Sequence, residues 1–319
     1  MVNLDQFQGK FSLRLYGKVF GVQMPANRYR VAILGTGNIG TDLLYKVRRN
    51  KFLKCSYFVG RRSDSPGLLR AETLGVAALS GGIEELAEYL PSIDLVFDAT
   101  SARDHLEHAP ILLSAGVDLI NLTPAKVGDF YVPGVVPILE ESSGQPRHLN
   151  MVTCGGQATI PLIYAVKNGI PTISEVEIVS TISSSSAGPA TRLNLDEYIE
   201  NTEKAISQLT GIEKSKVMLV LNPAKPEISM HTSVYLSGSD LSAQAIDEII
   251  NLRVVELRDY CPDFQLTSSA TKLNNGSVHF SLTVVGAGDY LPKYAGNLDI
   301  INLAAIKAAE ELAASRVLL

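Results

Sequence analysis

Tyr29-Arg30-Val31-Ala32-Ile33-Leu34-Gly35-Thr36-Gly37-Asn38-Ile39-Gly40 is the stretch that decides the fold. Its first six residues are largely apolar, with β-branched Val31 and Ile33, at strand length, and the glycines that follow make a tight turn. Residues 41–49 (TDLLYKVRR) then place Leu43, Leu44 and Val47 on one face at helical spacing. Gly35 makes the turn, Gly37 admits a pyrophosphate to the backbone, and Gly40 lets helix and strand approach. The first helical N–H groups face the anion. A glycine turn alone is weak evidence, but a strand before it and a helix after it make a dinucleotide site the reading here. Gly35, Thr36, Gly37, Asn38, Ile39 and Gly40 are its candidate contacts.

Further along, residues 55–59, 93–97 and 117–122 read as buried strands, with a helix over 105–115. Strands alternating with helices predict a parallel, doubly wound α/β sheet. The second half differs. Strands are expected at 175–182, 217–221, 233–236 and 278–285, and helices near 196–209 and 242–260. That is an α+β arrangement, mostly antiparallel with helices on one face. Residues 298–318 read as an amphipathic helix rich in alanine and leucine. The expected division is an N-terminal extension over 1–29 and a dinucleotide-binding domain over 30–152, completed by a C-terminal helix over 296–319. A catalytic and dimerisation domain occupies 153–295.

Composition bounds the function. The 319 residues are 46% hydrophobic and 19% charged, with a net charge of −5, which does not favour nucleic acid or an anionic membrane. The apolar runs fall well short of the roughly 18 residues needed to span a bilayer. The opening residues lack the continuous apolar stretch of a secretory signal. Cys55, Cys154 and Cys261 are widely spaced and odd in number, against a disulfide framework or a zinc site. A reducing, cytoplasmic setting is the expectation.

The end of the second strand selects between nicotinamide cofactors. An acid there binds the ribose hydroxyl of NAD, and arginine suits the 2′-phosphate of NADP. Here it reads Gly60-Arg61-Arg62-Ser63, with no acid before Asp64, so NADP is favoured and NAD kept open. The same arginines also suit a solvated loop.

Cys154 lies in Met151-Val152-Thr153-Cys154-Gly155-Gly156-Gln157, where an apolar strand passes through paired glycines into a helix. A thiol at a helix N-terminus is expected to have a lowered pKa, and neighbouring N–H groups to hold an oxyanion. Cys55 and Cys261 read as inert. His105 and His108 share a helix but lack a third ligand, so no metal is expected, and His148 and His279 have no evident partners.

Taken together, GTGNIGTDL, VFDATSA (residues 96–102), NLTPA (121–125), MVTCGGQATIP, SSAGPATR (185–192) and YLPKYAGNLDI (290–300) resemble the acylating acetaldehyde dehydrogenases over nearly the whole chain. The resemblance implies a Rossmann-type domain joined to one like the C-terminal domain of glyceraldehyde-3-phosphate dehydrogenase. It implies aldehyde and coenzyme A converted to acyl-coenzyme A with NAD or NADP, through a thioester on Cys154. It further implies cofactor contacts from Ser185, Ser186, Ala187, Gly188, Pro189, Arg192 and Asn297, and a homo-oligomer, as a dimer. Three departures stand out. The family's usual Met-Arg-Asp-Thr run is Met230-His231-Thr232-Ser233 here, leaving His231 as a tentative base, although neighbours on a strand face opposite sides. Arg61 and Arg62 replace a more usual aspartate-containing stretch. The loop before the last strand is shortened to 268–277, and 1–29 are extra, which argues against the aldolase partner many relatives carry. Two alternatives remain: a phosphorylating semialdehyde dehydrogenase, with Arg192 as the anion-binding residue, and a non-catalytic cofactor-binding scaffold.

Overall fold

The computed structural model describes residues 28–138, 145–188, 192 and 195–317. The expected extension therefore falls outside the described residues except at its end, where Tyr29 already opens the first strand. So does Pro189.

Parallel strands form the first sheet: β1 (Tyr29–Leu34), β2 (Leu53–Val59), β3 (Ala77–Leu79), β4 (Leu95–Asp98), β5 (Asp118–Asn121), β6 (Asp129–Phe130) and β7 (His148–Asn150). Their order is β3-β2-β1-β4-β5-β7-β6 among the described residues. The chain reverses direction across the sheet between β1 and β4, and a ligand crevice is expected at the carboxyl ends of those strands. The sheet is covered on both faces, which is why β4 is buried at all four residues and shows no alternation. On one face α1 (Asn38–Arg49) packs Leu43, Leu44 and Val47 against Val31 and Ile33. A short helix, α2 (Pro66–Thr73), adds Leu68 and Ala71. On the other, α3 (Gly82–Ala87) and α4 (Ala102–Ser114) pack Ile83, Leu86, Ala109 and Leu112 against Val96 and Leu119.

After β7 the chain enters α5 (Cys154–Gly169), the first helix of the second layer pair. Strands β8 (Ile173–Ser183), β9 (Lys214–Asn222), β10 (Met230–Gly238), β11 (Phe264–Lys272) and β12 (Val278–Val284) form a sheet in the order β11-β12-β10-β8-β9. It is antiparallel except for the β8–β9 pair, which α6 (Leu195–Thr210) joins as a crossover. With α7 (Ala243–Arg258), α5 and α6 cover one face, burying Val176, Ile178, Val234, Leu236, Phe280 and Leu282.

Two expectations change. Residues 268–272 are strand, not loop: they belong to β11, and the connection is the short turn at 273–277. Serine and threonine hid that strand, because its partly exposed surface needs few apolar residues. The C-terminal helix α8 (Gly296–Val317) is not amphipathic, since Asn302, Lys307 and Ser315 are buried along with Ala304, Ala305 and Leu312. It lies between α1 and α5 and has no wide solvent face. Among the described residues no helix is long and apolar enough to cross a membrane.

Candidate active site

The phosphate turn has the shape its glycines require. Gly35 sits at φ +113°, and a Cβ there would meet the Ala99 carbonyl oxygen at 2.6 Å. A Cβ on Gly40 would come within 1.9 Å of the Gly35 carbonyl oxygen. Gly37 differs, because a Cβ there would meet nothing within 4 Å. It caps α1 without any side-chain bond, and no acid occupies the first turn, so the helix end presents amides and positive potential to open space. Open space in front of a glycine at a helix end fits a pyrophosphate. Thr36 anchors the turn by accepting the Ser65 hydroxyl at 2.8 Å.

Arg61, Arg62 and Ser63 follow β2 at the same rim and are exposed. Arg61 pairs loosely with Asp104 at 3.4 Å, and Arg62 with Asp64 at 3.5 Å. Such exposed pairs exchange readily with other anions. On the second side of the crevice, the Ser186 carbonyl accepts Asn297 Nδ2 at 3.4 Å, joining residues 185–188 to the start of α8. Asn297 Oδ1 is buried with no partner among the described residues, which fits an amide donor from a cofactor. Arg192 folds back to donate to the Ala187 and Ser184 carbonyls, so it clamps this loop and its guanidinium is already committed. The anion role that a phosphorylating enzyme needs is thereby weakened.

Cys154 is the first residue of α5, only 7% exposed. Thr153 caps the helix, its Oγ1 accepting the Gly156 amide at 3.0 Å. The expected lowering of the thiol pKa does not occur. Burial pushes it up to about 11, outweighing hydrogen bonds from Tyr198 and from the Gly155 and Cys154 amides. The oxyanion expectation also changes, because the Gly155 amide donates to the Tyr198 hydroxyl at 3.0 Å. That hydroxyl lies 3.7 Å from Cys154 Sγ. Sequence reading missed Tyr198, which is 44 residues away on α6. Cys55 and Cys261 are pushed by burial up to about 12, in keeping with inert thiols.

The strand register separates His231 from Cys154. Thr232 is fully buried on the helix-covered face and meets Ser180 Oγ at 3.0 Å. His231, one residue earlier, belongs to the opposite face, where its Nδ1 lies 3.2 Å from Thr283 Oγ1. The structure does not bring it to the thiol. The remaining histidines do have partners. His279 packs against the Tyr235 ring, and His105 Nε2 lies 3.0 Å from His148 Nε2. His105 and His108 both turn Nδ1 to Asp98 Oδ2, at 2.9 and 3.0 Å. Their shared neighbour is therefore a buried carboxylate, which they hold well below the usual carboxylate range.

Known proteins place the chain in a family. A family profile described as "Prokaryotic acetaldehyde dehydrogenase, dimerisation" matches residues 154–292. The acetaldehyde dehydrogenase of Spirochaeta aurantia is 49% identical over 290 residues, covering 91% of this chain and 96% of its own. That of Pectobacterium atrosepticum is 46% identical over 289 residues, covering 91% and 97%. Among solved structures, aspartate semialdehyde dehydrogenase II of Vibrio cholerae, complexed with ASA, superposes with a TM-score of 0.60. It covers 89% of this chain and 99% of its own at 13% identity, a likeness of fold alone. At such identity over nearly its whole length to the curated relatives, the chain belongs to the acylating acetaldehyde dehydrogenase family.

Proposed function

We propose that this chain interconverts a short-chain aldehyde and its acyl-coenzyme A thioester, with Cys154 carrying the acyl group between the two half-reactions. The observation that carries this reading is the placement of Cys154 at the first position of α5, directly after the last strand of the parallel sheet and before the second sheet's helices. Residues 30–152 with α8 are assigned to cofactor binding, and 153–295 to the acyl chemistry and to self-association as a homo-oligomer.

The family uses a nicotinamide dinucleotide and coenzyme A. When bound, the dinucleotide takes or returns the hydride. The Gly35–Gly40 turn would hold its pyrophosphate at the end of α1, and Asn297 Oδ1 would accept an amide hydrogen from its nicotinamide end. Arg61 and Arg62 favour NADP over NAD by offering two guanidiniums at the rim. Cys154 supplies the nucleophile: its sulfur bonds the aldehyde carbon, and after hydride loss the acyl group remains as a thioester. Coenzyme A thiolate then displaces Cys154 by thiol exchange. Burial of the sulfur keeps water from competing.

The test is direct. Acetyl-coenzyme A is added to the protein without reductant, and a peptide digest is read by mass spectrometry. An acetyl adduct on Cys154, absent from Cys154→Ala, is expected. Reduced cofactor forming from acetaldehyde with phosphate but not with coenzyme A would move the assignment to a phosphorylating enzyme.

A further inference from the structure

Resting on that reading, one step lacks an agent: burial disfavours the Cys154 thiolate, and among the described residues no charged group acts on the thiol. His231 lies on the opposite face of the sheet. The influences on the thiol are burial and hydrogen bonds, with no carboxylate, ammonium or imidazole among them. Around Tyr198, α5 presents Thr153 and Cys154, β8 presents Ser180, and β10 backs Ser180 with Thr232. Glu197, beside Tyr198 on α6, buries Oε2 with no hydrogen-bond partner among the described residues, and it acts weakly on Lys126, which pairs with Glu200. Among the strongest influences on the phenol from the described residues, Cys154 is the one titrating side chain.

We propose that the Tyr198 hydroxyl is the proton shuttle for thiohemiacetal formation, taking the Cys154 thiol proton and giving its own to the aldehyde oxygen. Adding a thiol across a carbonyl needs no net acid or base. The S–H bond breaks and the C–S bond forms, while the carbonyl π pair becomes the bond to the proton that Tyr198 delivers. One oxygen that accepts and donates at once meets this requirement. In the reverse direction the same hydroxyl takes the proton from the thiohemiacetal and returns it to sulfur.

The geometry supports each part. Tyr198 Oη faces Sγ at 3.7 Å, close enough for a carbonyl oxygen on the attacked carbon to come within reach. Gly155 N–H donates to the same Oη at 3.0 Å, a bond that opposes part of the burial by which the phenol holds its proton tightly. Ser180 bonds the hydroxyl and links it to Thr232, fixing its direction. The Thr202 hydroxyl donates to the Tyr198 carbonyl at 2.7 Å and lies 2.7 Å from Thr153 Oγ1, tying α6 to the cap of α5. Position 155 has no room for a side chain: a Cβ would lie 2.2 Å from Tyr198 Oη.

The experiment compares wild type and Tyr198→Phe in kcat/KM for acetaldehyde across pH 6–9, with iodoacetamide alkylation of Cys154 in the cofactor-free protein alongside. A thiol that adds with its own proton gives wild type a flat profile. Tyr198→Phe should fall by about 100-fold near neutrality and rise tenfold per pH unit, since only preformed thiolate then reacts. Its Cys154 should also alkylate more slowly, having lost the donor to thiolate. Wild-type rate with a flat profile in the variant, or a tenfold-per-unit rise in wild type, overturns the shuttle. If wild type gives no coenzyme A-dependent turnover, the acylating reading fails by itself, and equal alkylation rates in the two proteins would still overturn the Tyr198 role. Should Tyr198→Phe not fold, 3-fluorotyrosine at position 198 replaces it, and an unchanged kcat/KM overturns the proposal.

Discussion

Lys46 Nζ lies 2.6 Å from Asp299 Oδ1, joining the helix after the phosphate turn to the C-terminal helix that carries Asn297. Asp42 and Asp289 complete the shell, at 2.6 and 2.9 Å from the same nitrogen. Three carboxylates that would suit a metal ion thus enclose an ammonium instead. Nearby carboxylates hold Lys46 charged against its burial, while burial raises Asp299. Asp42 also accepts from Asn302 at 2.7 Å, so α1 and α8 share one network.

Removing the cation should therefore destabilise the protein. Lys46→Met leaves buried carboxylates uncompensated, and a loss of about 3–5 kcal/mol is expected in urea unfolding. Cofactor affinity should fall as well. A change below about 1 kcal/mol would mean that the network contributes little to folding.

The turn glycines should separate by role. Gly40→Ala drives a methyl into the Gly35 carbonyl and should cost about 1–3 kcal/mol of stability. Gly37→Ala meets nothing within 4 Å, so its melting temperature should match wild type while cofactor affinity drops. Fluorescence titration with the dinucleotide checks this. Undiminished affinity in Gly37→Ala would place the pyrophosphate elsewhere.

Cofactor choice should track the two rim arginines. Arg62→Asp is expected to lower the ratio of kcat/KM for NADP to that for NAD by tenfold or more, about one charge-assisted hydrogen bond. An unchanged ratio would show that Arg62 is a solvated loop charge.

Acid should loosen the histidine network. Burial and the nearby His105 lower the His148 pKa to about 4 from its ordinary 6.5. The folded state therefore binds fewer protons than the unfolded state between those values, and stability present above pH 6.5 is lost as the pH falls towards 4. The loss should be roughly 1–2 kcal/mol, allowing for solvent screening at this partly buried ring. His148→Gln should flatten unfolding free energy across that window, and an equally steep slope in the variant would remove His148 as its source.

Some of these features are legible in the chain alone. The glycine turn and Cys154 can be read there because each depends on neighbours within a few residues. The β4 run shows its burial through Leu95, Val96 and Phe97 in succession, and β11 escapes notice because Thr267, Ser268 and Ser269 mimic a loop. His231 carries its own warning, since alternation along a strand already sets it opposite Thr232. Tyr198 and Asp98 give no local sign, as Cys154 and the two histidines come from other elements, and Lys46 shows only its helical neighbour Asp42, because Asp289 and Asp299 are distant in sequence.

By itself, then, the sequence determined the architecture and pointed to Cys154 as the candidate nucleophile, because periodicity and turn chemistry act over short distances. Only the tertiary structure decided what surrounds the thiol. Burial, which raises its pKa, and the Tyr198 hydroxyl, brought over by α6, both arise when distant elements pack together and exclude water.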